Sequence, residues 1–144
     1  MILDKILYPK DLKLLSLEEM TTLASEIRTL LITKSHKTGG HLAPNLGMVE
    51  ATIAMHYVFD CPKDKVVFDI SHQSYVHKIL TGRKDGFTDE KNYKKYTTFT
   101  NPFESEYDVF KTGHSSVSIS FATGLAKARD LKKEKMEIVV ISNI

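Results

Sequence analysis

Three short segments place a histidine beside glycine or serine where the surrounding pattern predicts the approach to a helix. They are Gly39-Gly40-His41-Leu42-Ala43, Ser71-His72-Gln73 and Gly113-His114-Ser115-Ser116. This combination suits an anion. The first turn of a helix carries unpaired backbone donors with a partial positive charge, glycine lets a phosphate come close to the backbone, and histidine and serine add side-chain donors. Other chemistries fit the same residues poorly. Ser115 lies outside a Gly-x-Ser-x-Gly elbow, and no feature selects one serine as a nucleophile. Neither the dinucleotide-binding glycine pattern nor a Gly-x-x-x-x-Gly-Lys-Ser/Thr loop occurs. His36 and His41 are five apart across a Gly-Gly break, and His72 and His77 five apart at a helix start, whereas two zinc ligands on one helical face need a spacing of four. His36, His56 and His77 therefore read as packing or surface histidines.

The composition bounds what can position these residues. A chain of 144 residues, 42% hydrophobic and 26% charged, is ordinary for a single globular domain that folds without a disulfide or metal staple. Cys61 is the only cysteine and sits beside Pro62 without metal-ligand spacing, which predicts a reducing, cytoplasmic setting. A net charge of +2, spread over the whole length, gives no footprint for nucleic acid. The run from Lys91 to Tyr96 mixes lysine with tyrosine and reads as a solvated face. No apolar run approaches the ~20 residues that span a bilayer, and no signal peptide is evident at Met1-Ile2-Leu3-Asp4, so no membrane partner is expected.

The elements follow from periodicity. Ser16 and Glu19 form a capping box that opens a helix, whose stripe of Met20, Leu23, Ile27, Leu30 and Leu31 runs to Gly39-Gly40. Pro44-Asn45 is expected to start a second helix, with Asn45 as its cap, that reaches Val58. Val66 to Ile70 reads as a buried parallel strand, Tyr75 to Leu80 as a third helix ended by Gly82, and Arg83 to Thr112 as a long excursion. Ser115 or Ser116 should cap a last helix to about Leu131, and Ile138 to Ile141 should form a second strand. Strand, helix, long loop, helix, strand predicts an α/β fold with part of a doubly wound parallel sheet. The working loops of such sheets lie beyond the carboxyl ends of the strands, so the ending Ser142-Asn143-Ile144 predicts an incomplete domain.

Together the three segments resemble the 1-deoxy-D-xylulose-5-phosphate synthases, thiamine-diphosphate enzymes of the transketolase superfamily. The resemblance runs from Gly39 to Glu50 and on through Ala54-Met55-His56-Tyr57-Val58-Phe59. It resumes from His72-Gln73 through His77-Lys78-Ile79-Leu80-Thr81-Gly82-Arg83, and again from Gly113 to Ser120. It covers essentially the whole chain, residues 1–144, as the first half of a thiamine-diphosphate-binding domain. By that resemblance His72, Gly113, His114 and Ser115 would contact thiamine diphosphate, chiefly at its diphosphate, and His41 would face the thiazolium and assist proton transfer. The family joins pyruvate to glyceraldehyde 3-phosphate with loss of carbon dioxide, giving a precursor of isoprenoids, thiamine and pyridoxal.

Three departures from the family pattern stand out. Ser71 replaces a glycine, Phe68 replaces a tryptophan, and Ser142-Asn143-Ile144 replaces a Gly-Asp-Gly whose aspartate would bind Mg2+. An amide in place of that carboxylate predicts weakened metal affinity, so no residue of this chain is assigned to the metal. The chain alone is expected to be inactive, as a fragment of a homodimeric synthase. The alternative is a non-catalytic half-domain or split-enzyme subunit completed by a partner chain.

Overall fold

The structure is a computed structural model that describes residues 1–142. Asn143 and Ile144, on which the expected change in the metal loop falls, lie outside the described residues. A single turn of 3-10 helix at Leu3–Lys5 leads into α1 (Pro9–Leu12) and the long α2 (Leu17–Thr38). The box at the start of α2 forms as its sequence requires: the Ser16 hydroxyl accepts from the Glu19 amide, and the Glu19 carboxylate accepts from the Ser16 amide. Leu23, Ala24, Ile27 and Leu31 bury one stripe of α2, with Met20 and Leu30 at its margin. Each fully buried large apolar side chain in such a stripe contributes about 1.5–3 kcal/mol.

The second predicted helix is two helices, α3 (Leu42–Gly47) and α4 (Val49–Val58), joined at Met48. Asn45 caps neither. It is fully buried inside α3, because its side-chain amide is used to tie two other segments together. Strand β1 (Lys65–Phe68) follows, then α5 (Tyr75–Lys78) and a π-type turn at Ile79–Arg83, where Thr81 and Gly82 leave helical geometry. Gly82 ends the helix as expected, at φ +85°. A Cβ there would lie 2.9 Å from the Tyr8 ring, so glycine is required on both counts. The long excursion holds two short elements, α6 (Asp85–Thr88) and a 3-10 turn at Glu90–Asn92, before α7 (Ser118–Lys132) and β2 (Ile138–Ile141).

Strands β1 and β2 are parallel, with Lys65 opposite Ile138 and Phe68 opposite Ile141. The described residues thus form an α/β unit with one two-stranded parallel sheet. The doubly wound arrangement expected from the element order is not formed by these two strands. The main core lies among the 3-10 turn, α1, α2, α4, α5 and the π-type turn, and a smaller one joins Met55, Val66 and Phe68 beside the sheet. Among the described residues, no helix is long and apolar enough to cross a membrane.

Candidate functional site

The backbone just beyond β1 turns twice through the left-handed region, at Ile70 (φ +58°) and Ser71 (φ +77°). That geometry favours glycine, the residue that the resemblance leads one to expect at position 71. Serine takes the same conformation here and adds bonds that glycine cannot. Its buried hydroxyl accepts from the Thr100 amide at 3.0 Å and donates to the Thr112 carbonyl at 3.3 Å, pinning the middle and the far end of the long excursion to the end of β1. Asp69, one residue earlier, accepts from the amides of Ser116 at 3.1 Å and Val117 at 3.4 Å. The cap expected from Ser115 or Ser116 is therefore absent. Val117 is the N-cap residue of α7 and makes no side-chain cap bond, and a carboxylate from the sheet takes the amides just before the helix.

These connections bring two of the three predicted segments face to face. The His41 and His72 rings meet edge to face with centroids 5.3 Å apart, and Phe99 lies 6.2 Å from His41. Asn45 braces the pair: its amide nitrogen donates to the carbonyls of His41 (2.5 Å) and His72 (2.9 Å), and its oxygen accepts from the Tyr75 amide (2.8 Å). Gly40, at φ +117°, lets the chain pass over Tyr75, whose hydroxyl a Cβ would approach to 3.2 Å. Gly113 joins the group through Phe99, whose ring lies 3.5 Å from the position of a Cβ on that glycine. His114 and Ser115 follow on the exposed stretch ahead of α7. Among the described residues their side chains make no hydrogen bond, and only the His114 amide is held, by Thr112 Oγ1 at 3.1 Å.

The electrostatics favour neutral donors. Burial lowers the His72 pKa below its ordinary value, and His41 lowers it further, so the ring is uncharged at neutral pH. Its Nδ1 is buried without a hydrogen-bond partner among the described residues. A polar atom left in that state costs free energy until a ligand or water satisfies it. Gly113-His114-Ser115 precede the 15-residue α7, whose approach amides at Ser116 and Val117 are taken by the Asp69 carboxylate. Among the described residues, no cluster of three or more histidine, cysteine or carboxylate side chains is placed to hold a metal.

Beneath this site lies a buried polar network that the sequence did not disclose. His56 Nε2 is 2.9 Å from His77 Nδ1, and His77 Nε2 is 2.9 Å from Asp108 Oδ1. Arg83 donates to both Asp108 oxygens, at 2.6 and 2.8 Å, and the Asn101 amide donates at 2.8 Å. Lys78 and Arg83 also reach Glu104, which accepts from the Thr97 amide. The excursion from Thr97 to Asp108 has little regular structure, and these side chains take the place of a backbone ladder in holding it against α5.

Burial raises the Asp108 pKa, but the bonds from Arg83 and His77 outweigh it and keep the group ionised well below the usual carboxylate range. Burial also keeps His77 neutral despite the opposing pull of Asp108, so the contact is a hydrogen bond to a carboxylate rather than an ion pair. The direction of the chain follows. Asp108 can only accept, so His77 donates from Nε2 and accepts at Nδ1 from His56, which leaves His56 Nδ1 bare; that atom has no partner among the described residues. His56 and His77 are thus packing histidines, as their spacing implied, and His36 is exposed in the last turn of α2. Cys61 is no reactive thiol: burial, with Asp64 and Asp60 nearby, pushes its pKa up to about 11.

The family model for 1-deoxy-D-xylulose-5-phosphate synthase matches residues 3–143. A 1-deoxy-D-xylulose-5-phosphate synthase of Brevibacillus brevis is 55% identical over 141 residues, 98% of this chain and 22% of the relative. Enzymes of the same name from Dictyoglomus turgidum and Desulfitobacterium hafniense are 52% and 54% identical, over 98% and 97% of this chain and 23% and 22% of their own lengths. The chain thus spans less than a quarter of the length of these relatives.

Proposed function

The chain belongs to the 1-deoxy-D-xylulose-5-phosphate synthase family, and from that premise we propose that it is the part of such an enzyme that grips the diphosphate end of thiamine diphosphate. In this reading the intact enzyme condenses pyruvate with glyceraldehyde 3-phosphate with loss of carbon dioxide, and β1 and β2 belong to a larger, doubly wound sheet. The observation that carries it is the meeting of the His41 and His72 rings, with His72 Nδ1 buried and without a hydrogen-bond partner among the described residues.

His72, Gly113, His114 and Ser115 would hold the cofactor, which when bound supplies the stabilised carbanion that the carbon–carbon bond-forming step needs. The protein's own work is orientation and proton handling. His72, held neutral, offers hydrogen bonding without bringing a second positive charge to a site that must accept a cationic ring. Asn45 fixes the carbonyls of both histidine segments, so the His41 ring is presented at a set distance from His72. His41 is exposed on its outer side, where it can take up or release a proton at a ring nitrogen. Phe99 lies beside His41 and shields part of the site from water. The reading assigns no residue of this chain to Mg2+.

A second reading is favoured by the surface beside β2. An apolar hollow of about 340 Å³, lined by Ala51, Ala54, Val58, Val139 and Ile141 among others, suits a covering chain, as for a split-enzyme subunit or an assembled dimer. The two readings separate in solution. Purified chain should show no turnover of pyruvate with glyceraldehyde 3-phosphate yet bind the cofactor, and it should self-associate in sedimentation. Turnover by the chain alone would overturn the first expectation, and a sharply monomeric profile the last.

A further inference from the structure

A second cavity lies across Tyr75 from the histidine pair. Its volume is about 290 Å³, and its walls are the end of α2, the Gly39-Gly40 turn, and the segment from Gly86 to Thr98. Its lining mixes polar and aromatic groups, and no aspartate or glutamate is among the described residues that line it. Two lysines do. The Lys34 ammonium sits over the rings of Phe87 (4.8 Å), Tyr93 (5.5 Å) and Tyr75 (5.8 Å), and makes no hydrogen bond or ion pair among the described residues. Burial lowers its pKa below the ordinary lysine value, as expected of a cation without an anion. Lys94, on the exposed rim, likewise has no acidic partner among the described residues.

The nearby carboxylates are already neutralised. Glu90 is taken by Lys37, and Asp85 by Lys95 and the Tyr96 hydroxyl. They leave the cavity with uncompensated positive charge facing Thr98 and the Gly40 amide, which are groups that can donate to oxygen. The three rings hold the ammonium through their faces, so Lys34 is oriented before any ligand arrives.

We infer that this cavity is an anion site, separate from the diphosphate cradle, that takes the phosphate group of a small molecule between Lys34 and Lys94. A phosphate there is one residue from His41 along the chain, and its cradle shares Tyr75, whose hydroxyl is 3.5 Å from the His41 amide. The inference does not depend on the cofactor reading, because none of the residues proposed to bind phosphate belongs to that cradle.

The test is a titration of the full chain with inorganic phosphate and with pyrophosphate, followed by phosphorus NMR and calorimetry, on wild type, Lys34→Gln, Lys34→Arg and His72→Ala. Loss of one charge-assisted contact should weaken binding about tenfold. The expected result is that Lys34→Gln shows this loss, Lys34→Arg restores most of the affinity, and the Lys34-dependent part of the phosphate binding persists in His72→Ala. Binding that survives Lys34→Gln but falls in His72→Ala would place the anion in the cofactor cradle and overturn the inference. No binding of either ion to wild type would also overturn it. Tighter binding of pyrophosphate than of phosphate, still dependent on Lys34, would support the site and identify a diphosphate as its preferred ligand.

Discussion

Lowering the pH should destabilise this protein in a range where its carboxylates are still ionised, and His56 is the group that isolates the effect. The imidazole is fully buried and donates to His77, which donates to Asp108. Burial holds the pKa of His56 well below its ordinary value of 6.5, with His77 and Lys13 adding to the shift; burial lowers that of His77 as well, against the pull of Asp108. In the unfolded chain both titrate near that ordinary value, so below it the unfolded state binds more protons and stability falls as pH falls. For an imidazole that stays neutral when folded, the loss between about pH 7.5 and pH 5.5 is about 1.4 kcal/mol, and a neutral pair loses at most about 2.7 kcal/mol. Asp108 does not interfere. Its folded pKa is depressed, so its contribution is fully present above the ordinary carboxylate value of 3.8 and is lost only as pH falls below that. The assay is urea unfolding at the two pH values for wild type and His56→Gln, whose amide can still donate to His77. The variant should lose about 1.4 kcal/mol less than wild type across the interval. An equal loss in both proteins would refute the neutral, buried chain.

Other perturbations probe the parts separately. Asp108→Ala leaves the buried Arg83 with only its longer contact to Glu104 and should cost about 3–5 kcal/mol in chemical unfolding, whereas a loss under about 1 kcal/mol would show that the network is not holding the excursion. Ser71→Ala removes the hydroxyl that pairs the buried Thr100 amide and should cost about 1–3 kcal/mol, with faster hydrogen exchange at Thr100. Ser16→Ala should lower stability by about 1 kcal/mol through the start of α2, without changing the His41–His72 site, which chemical shifts of the two imidazoles would check.

Local rules made part of this molecule legible. The Ser16–Glu19 box, the apolar stripe of α2, the stop at Gly82 and the strand Ile138–Ile141 all follow from residues near one another in sequence, and all four stand in the structure. Asn45 misled because asparagine before an apolar run resembles a cap, whereas here its amide spans three segments that only the fold brings together. The start of α7 misled for the same reason: Asp69, nearly fifty residues away, supplies the acceptor that Ser115 and Ser116 were expected to supply. The network at Asp108 had a faint signal in Lys78 and Arg83, which are five apart where the excursion begins, with Glu104 and Asp108 four apart within it. Charge spacing does not reveal burial, so the signal could not be read as a clamp. For the site, the sequence pointed to His41 and His72, whose rings meet, and to Gly113, His114 and Ser115, of which Gly113 reaches the pair only through Phe99; the contributions of Tyr75 and Phe99 depend on packing.

The central claim is that His72 and the stretch from Gly113 to Ser115 form a cradle for a diphosphate. It is tested most directly by calorimetric titration of thiamine diphosphate, with and without Mg2+, into the purified chain and its His72→Ala variant. The account predicts binding to wild type, weakened by about tenfold or more in the variant as one buried hydrogen-bonding group is lost. Equal binding by both proteins, or none by wild type, would contradict it.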